Sequence, residues 1–186
     1  MVYVLLGNGF EETEAIAPLD CLRRAGIDTC TVGIGGFKIP SSHQITVMPD
    51  RTLESLTRAD IDEAEMVILP GGLGGVAAIK GDEKAQYLIR SCYEAGGWVA
   101  AICAAPTVLA EMGILSNRKA TVYPGMEDGL ADAIPQIGSQ VVTDGNVITG
   151  EAAGSAWEFG LTLVEKLRGR EAAEKVAESV HFHGNF

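Results

Sequence analysis

Trp98-Val99-Ala100-Ala101-Ile102-Cys103-Ala104-Ala105-Pro106 is an unbroken apolar run that ends at a cysteine and continues into small residues and a proline. Consecutive apolar positions without polar alternation mark a strand buried on both faces. The small residues then open a helix over 104–112, which Gly113 stops. Working outward, short apolar runs alternate with helix-length segments. Residues 2–6, 29–34 and 65–69 read as strands, and 45–48 as a further strand, antiparallel or at an edge. Residues 11–25 read as a helix with Ile16, Leu19 and Leu22 at helical spacing and Gly26 as its stop. Pro18 is tolerated there if it lies in the first turn. Residues 82–95, 156–167 and 171–179 are further helices. After residues 120–123, two short β runs at 140–143 and 146–149 flank Asp144-Gly145. The pattern predicts an α/β fold with a mainly parallel sheet and helices on both sides.

In such sheets the site lies beyond the carboxyl ends of the strands. Three segments fall there: 7–14, 70–75 and 103–106. Cys103 directly follows its strand, and a side chain at a tight strand-to-helix corner is forced outward, as in a nucleophile elbow. The helix start beside it supplies N–H groups and partial positive charge, which favour thiolate. Cys21 in a helix, Cys30 in a strand and Cys92 late in a helix read as structural thiols.

The glycine-rich turns oppose nucleotide binding. Gly7-Asn8-Gly9-Phe10-Glu11-Glu12 has an acid in place of the third fingerprint glycine, and Glu11, Glu12 and Glu14 crowd the helix start. Gly71-Gly72-Leu73-Gly74-Gly75 lacks the Gly-Lys-Ser/Thr ending of a P-loop. No histidine follows Cys103 directly. His43 lies in a polar segment, His181 and His183 lie at the end of the chain, and no metal site is assigned to them. The dense carboxylate cluster at 11–14 is left as the source of acid–base chemistry.

The 186 residues carry 14 basic and 25 acidic side chains, a net charge of −11, which argues against a phosphate-backbone binder. Hydrophobic residues, at 47%, suffice for a sizeable core, yet no run is long enough to span a bilayer. The opening residues lack a secretory leader, and four cysteines show neither paired ligand spacing nor disulfide density. The expectation is a reduced, cytoplasmic protein that binds neither nucleic acid nor membrane.

Three motifs carry a family resemblance: Ala100-Ala101-Ile102-Cys103-Ala104-Ala105-Pro106-Thr107, Gly9-Phe10-Glu11-Glu12-Thr13-Glu14, and Leu69-Pro70-Gly71-Gly72. Together they resemble the ThiJ/PfpI superfamily, and within it the protein deglycase branch named for Parkinson disease protein 7. The likeness runs nearly the whole chain, through Arg23-Arg24-Ala25-Gly26, Glu158-Phe159-Gly160 and Leu167-Arg168-Gly169-Arg170-Glu171. It implies one ThiJ/PfpI-like domain over 1–186. The implied fold is flavodoxin-like (class I glutamine amidotransferase-like): a mainly parallel sheet sandwiched by helices, with an added C-terminal helix. It further implies a homodimer with Glu11, Leu19, Arg23, Arg24 and Met48 near the interface.

By position, the resemblance makes Cys103 the nucleophile and Glu14 its partner acid, held protonated as a donor to the thiolate. That thiolate is then expected to persist well below the free-cysteine pKa of about 8.5. Gly72 and Ala104 N–H groups become oxyanion or sulfinate donors, with Gly71 and Tyr123 also at the substrate site. Tyr123 stands where many relatives have histidine, Glu151 where some have arginine, and Met48 where some have a second cysteine. The lost arginine and added acid argue against anionic substrates. The implied activity needs no cofactor: conversion of methylglyoxal or glyoxal to hydroxy acids (glyoxalase III-like), extending to glycated thiols or amines. The alternative is an oxidative-stress sensor or chaperone-like protein whose Cys103 is oxidised without turnover.

Overall fold

The computed structural model describes every residue except Asn185. In chain order the elements are β1 (Val2–Leu6), α1 (Glu12–Arg24), β2 (Thr29–Gly33), β3 (Ile39–Pro40), β4 (Thr46–Val47), β5 (Arg51–Thr52), α2 (Arg58–Asp62) and β6 (Met66–Leu69). They continue with α3 (Leu73–Lys80), α4 (Glu83–Glu94), β7 (Trp98–Ile102), α5 (Pro106–Glu111), β8 (Lys119–Ala120), β9 (Ile134–Pro135), β10 (Val141–Asp144), β11 (Val147–Gly150), α6 (Ala156–Arg168) and α7 (Arg170–Ser179).

Seven strands form one sheet in the order β10-β11-β7-β6-β1-β2-β5. Every neighbouring pair is parallel except the β10–β11 hairpin. Alternate residues of each central strand feed opposite cores, as the period of two requires. Tyr3, Leu5, Val67, Leu69, Val99 and Ala101 pack with Val76, Ile79, Leu88, Ile89 and Val108 from α3, α4 and α5. Val4, Leu6, Ile68, Ala100 and Ile102 pack on the other face with Leu22, Phe159, Leu163 and Val176 from α1, α6 and α7. Both faces are covered, so β1, β6 and β7 carry no charged residue. The fold is flavodoxin-like, with α7 as the added C-terminal helix.

Several local expectations are corrected. Pro18 is the seventh residue of α1, not in its first turn. Its missing N–H therefore leaves the Glu14 carbonyl without the usual partner four residues on. Ile16 does not join Leu19 and Leu22 in the core but is 43% exposed. The 45–48 strand shrinks to β4, which pairs with β3 in a separate two-stranded ribbon. The helix expected over 104–112 starts only at Pro106, because Cys103-Ala104-Ala105 forms the turn itself. Lys119–Ala120 forms β8, which pairs in parallel with β9. Helices α2 and α3 and the edge strand β5 had no mark in the residue pattern.

Candidate functional site

The parallel strands aim their carboxyl ends at one edge, where the segments after β1, β6, β7 and β11 converge. Cys103 leaves β7 with φ +64, a left-handed backbone rare for a residue with a Cβ. Such a conformation costs about 1–3 kcal/mol and persists only when its surroundings over-determine it. Here its N–H donates to Gly150 C=O at 3.0 Å, and its own C=O accepts from Tyr123 N–H at 2.9 Å. Ala105 N–H closes the turn onto Ile102 C=O at 3.1 Å, and the Thr107 hydroxyl ties to Ala104 C=O at 2.8 Å. The corner anticipated from the sequence is therefore present and fixed on all sides.

Glu14 reaches this corner from α1. It is 1% exposed, the only buried acid among the described residues. Its Oε2 accepts the Gly71 N–H at 2.9 Å, and its carboxyl lies beside the Cys103 sulfur and the Ala153 N–H. The N–H groups of Ala104 and Gly72 point at the sulfur. Gly71 must be glycine for this convergence, since a Cβ there would lie 2.7 Å from the Cys103 Cβ and 3.1 Å from its sulfur. The structure thus brings Cys103, Glu14, Gly71, Gly72 and Ala104 into one cluster. Tyr123 joins only through its backbone bond to Cys103, with its side chain exposed.

Burial raises the Glu14 carboxyl to about 7, with the neighbouring Glu11 charge adding to it and the N–H donors working against it. Burial likewise pushes the Cys103 thiol up to about 12, followed by repulsion from the Glu14 charge, against the pull of the Ala104 and Gly72 N–H groups. A thiolate favoured simply by its helix terminus is therefore corrected. The two groups titrate as one pair. Sulfur can carry charge cheaply only while Glu14 keeps its proton, because the repulsion then vanishes and the carboxyl O–H becomes a donor to sulfur.

Cys21, Cys30 and Cys92 are buried, whereas Cys103 is half-buried, and all four are free thiols. Burial also pushes Cys21 and Cys92 up to about 12, so access and the Glu14 contact are what set Cys103 apart. Mild peroxide should add oxygen to Cys103 first, as read by peptide mass spectrometry. Earlier oxidation of any of the other three would remove the claim of a distinct thiol.

Two features escaped the sequence. Glu11 caps α1, its Oε2 accepting Glu14 N–H at 2.7 Å. His43, remote in sequence, lies with Nδ1 2.8 Å from Glu12 Oε1. Glu11 and Glu12 thus already hold the α1 cap and a hydrogen bond to His43.

A left-handed cysteine corner on a flavodoxin-like sheet, set beside a buried glutamate, defines a class of cysteine-elbow proteins. The model of the DJ-1/PfpI family matches residues 1–166, and the chain belongs to that family. Protein dj-1beta of Drosophila melanogaster is 41% identical over 179 residues, covering 95% of this chain and 94% of that protein. The crystal structure of Drosophila melanogaster DJ-1beta superposes with a TM-score of 0.87 at 38% identity, covering 97% of this chain and 96% of the other. A protein named a deglycase from Pyrococcus abyssi is 29% identical over 168 residues, covering 90% of this chain and 99% of its own.

Proposed function

We propose that residues 1–186 form one domain acting as a cysteine enzyme on reactive dicarbonyls, converting methylglyoxal or glyoxal to hydroxy acids without glutathione. The observation that carries this reading is the buried Glu14 carboxyl set beside the Cys103 sulfur at its left-handed corner, with the Gly72 and Ala104 N–H groups facing that sulfur. A relative named a deglycase supports carbonyl-derived substrates, so glycated thiols or amines extend the same reading.

In the proposed mechanism, the Cys103 thiolate adds to the aldehyde carbon while protonated Glu14 gives its proton to the carbonyl oxygen, forming a hemithioacetal and the Glu14 carboxylate. The Gly72 and Ala104 N–H groups stabilise charge developing at the reacting centre, with Gly71 and Tyr123 bounding the substrate. The Glu14 carboxylate or water then moves the proton from the former aldehyde carbon to the adjacent carbonyl carbon, and the hemithioacetal hydroxyl proton passes to that carbonyl's oxygen. This internal redox gives a thioester, and the addition of one water releases the hydroxy acid and restores the thiol. No external oxidant or cofactor enters this sequence. Purified protein should turn methylglyoxal into lactate in glutathione-free buffer, followed by chromatography. Absence of lactate overturns the reading and favours a thiol that is oxidised without turnover.

The proposed compartment is the cytoplasm, where four free thiols stay reduced. No helix among the described residues is long and apolar enough to cross a membrane. A homodimer is also part of the proposal. Ile16, Ala17, Ile45, Val47 and Trp157 line an apolar groove, and Met48 nearby is 72% exposed. Isolated exposed apolar residues are ordinary, but a contiguous group marks an interaction face. Leu19, expected at the interface, is instead buried in the core. Arg23 pairs with Asp50 and Arg24 with Asp20. Sedimentation at micromolar concentration should give twice the 19.6 kDa chain mass, and Ile16→Glu should return the single chain. A wild-type 19.6 kDa species would defeat the dimer.

A further inference from the structure

The geometry points to Glu11 as a positioning residue for Glu14, one that fastens the Glu14 carboxyl to the Gly71 loop and keeps a negative charge beside the Glu14–Cys103 pair. This rests on the reading of Glu14 as the proton-handling acid. Three hydrogen bonds close a ring. Glu11 N–H donates to Gly71 C=O at 2.9 Å, Gly71 N–H donates to Glu14 Oε2 at 2.9 Å, and Glu14 N–H donates to Glu11 Oε2 at 2.7 Å. The loop after β6, which also presents Gly72 N–H to the sulfur, is thereby held in register with the first turn of α1.

A serine, threonine, aspartate or asparagine is the favoured helix cap, and the neutral members of that set accept the same N–H. What glutamate adds over them is charge. A like charge nearby favours the protonated form of a carboxyl, and Glu11 acts on Glu14 in this direction, after burial. The other groups facing Glu14 are Cys103 from the β7–α5 corner and the N–H groups of Gly71 and Ala153. Behind Glu11 stand Glu12 and His43, with His43 Nδ1 4.0 Å from Glu11 Oε1 but 2.8 Å from Glu12 Oε1. A charged His43 is thus answered first by Glu12, and the Glu11 charge is left to act on Glu14.

The test reads the pH dependence of Cys103 alkylation by iodoacetamide, followed on the Cys103 peptide by mass spectrometry, in folded protein checked by circular dichroism. Glu11→Gln keeps a side-chain oxygen for the cap but removes the charge. Its lower reactivity midpoint, set by the first proton the Glu14–Cys103 pair releases, should fall by about one pH unit from the wild type. Glu11→Asp keeps the charge and should hold the wild-type midpoint. Glu11→Ser, a favoured neutral cap, guards against a folding failure and should shift as the glutamine variant does. An unmoved midpoint in the neutral variants, or an equal shift in Glu11→Asp, overturns the proposal and leaves Glu11 a plain cap. The methylglyoxal assay in the same buffers separates this inference from the enzyme reading. A shift in Glu11→Gln with no wild-type turnover defeats only the dicarbonyl reading. Wild-type turnover with an unmoved midpoint defeats only the role of Glu11.

Discussion

Cys103→Ser should lower dicarbonyl turnover by about a thousandfold or more, because a hydroxyl at neutral pH is a far weaker nucleophile than a thiol paired with an acid. The protein should remain folded. Serine is nearly isosteric, and the bonds that hold the corner, from Cys103 N–H to Gly150 and from Tyr123 N–H to Cys103 C=O, use only backbone atoms. Lactate formation from methylglyoxal and a thermal melt measure the two halves of this expectation. Turnover within tenfold of wild type would remove Cys103 from the mechanism.

Glu14→Gln should cost about 10²- to 10⁴-fold in kcat, the usual range for losing a positioned acid–base group. The amide can still donate to sulfur but has no proton to transfer. Without the Glu14 charge, the thiol should ionise in one step well below the 12 of the intact pair, seen as thiolate absorbance. Stability should change too. A carboxyl raised from 4.5 to about 7 contributes stability that is fully present below pH 4.5 and is lost as pH rises through 7. The wild type should therefore lose about 3 kcal/mol across that window. Urea unfolding between pH 4.5 and 8 should show this slope in the wild type and a flatter profile in Glu14→Gln. Equal slopes would mean that Glu14 does not bind its proton more tightly when folded.

The strands were legible because burial on both faces leaves a plain mark, as in Met66–Leu69 and Trp98–Ile102. The Cys103 corner was legible for a related reason: a polarizable side chain between an apolar run and two alanines has little alternative placement. Helix α3 was hidden by its composition. Two of its first three residues are glycines, poor helix formers in isolation. Their purpose is tertiary: a Cβ on Gly75 would fall 2.8 Å from the Phe10 Cα. Glu14 could be singled out from its acidic neighbours only by family likeness. Helical spacing does not say which of Glu11, Glu12 and Glu14 turns inward, and the structure buries the last. The approach of His43 to Glu12 spans 31 positions and depends on how the β3–β4 ribbon folds back.

The bonds around Cys103 also bear on the order in which the chain is made. Glu14 emerges early from the ribosome and Gly71 midway, whereas Gly150 and Ala153, which hold the Cys103 N–H and the Glu14 carboxyl, come near the end. Contacts so distant in sequence form late in folding, after loop closure has been overcome. A growing chain that stops short of residue 150 has Cys103 but not the strand that holds its backbone. Such a chain carries an ordinary thiol, and the paired site is completed only when β11 docks.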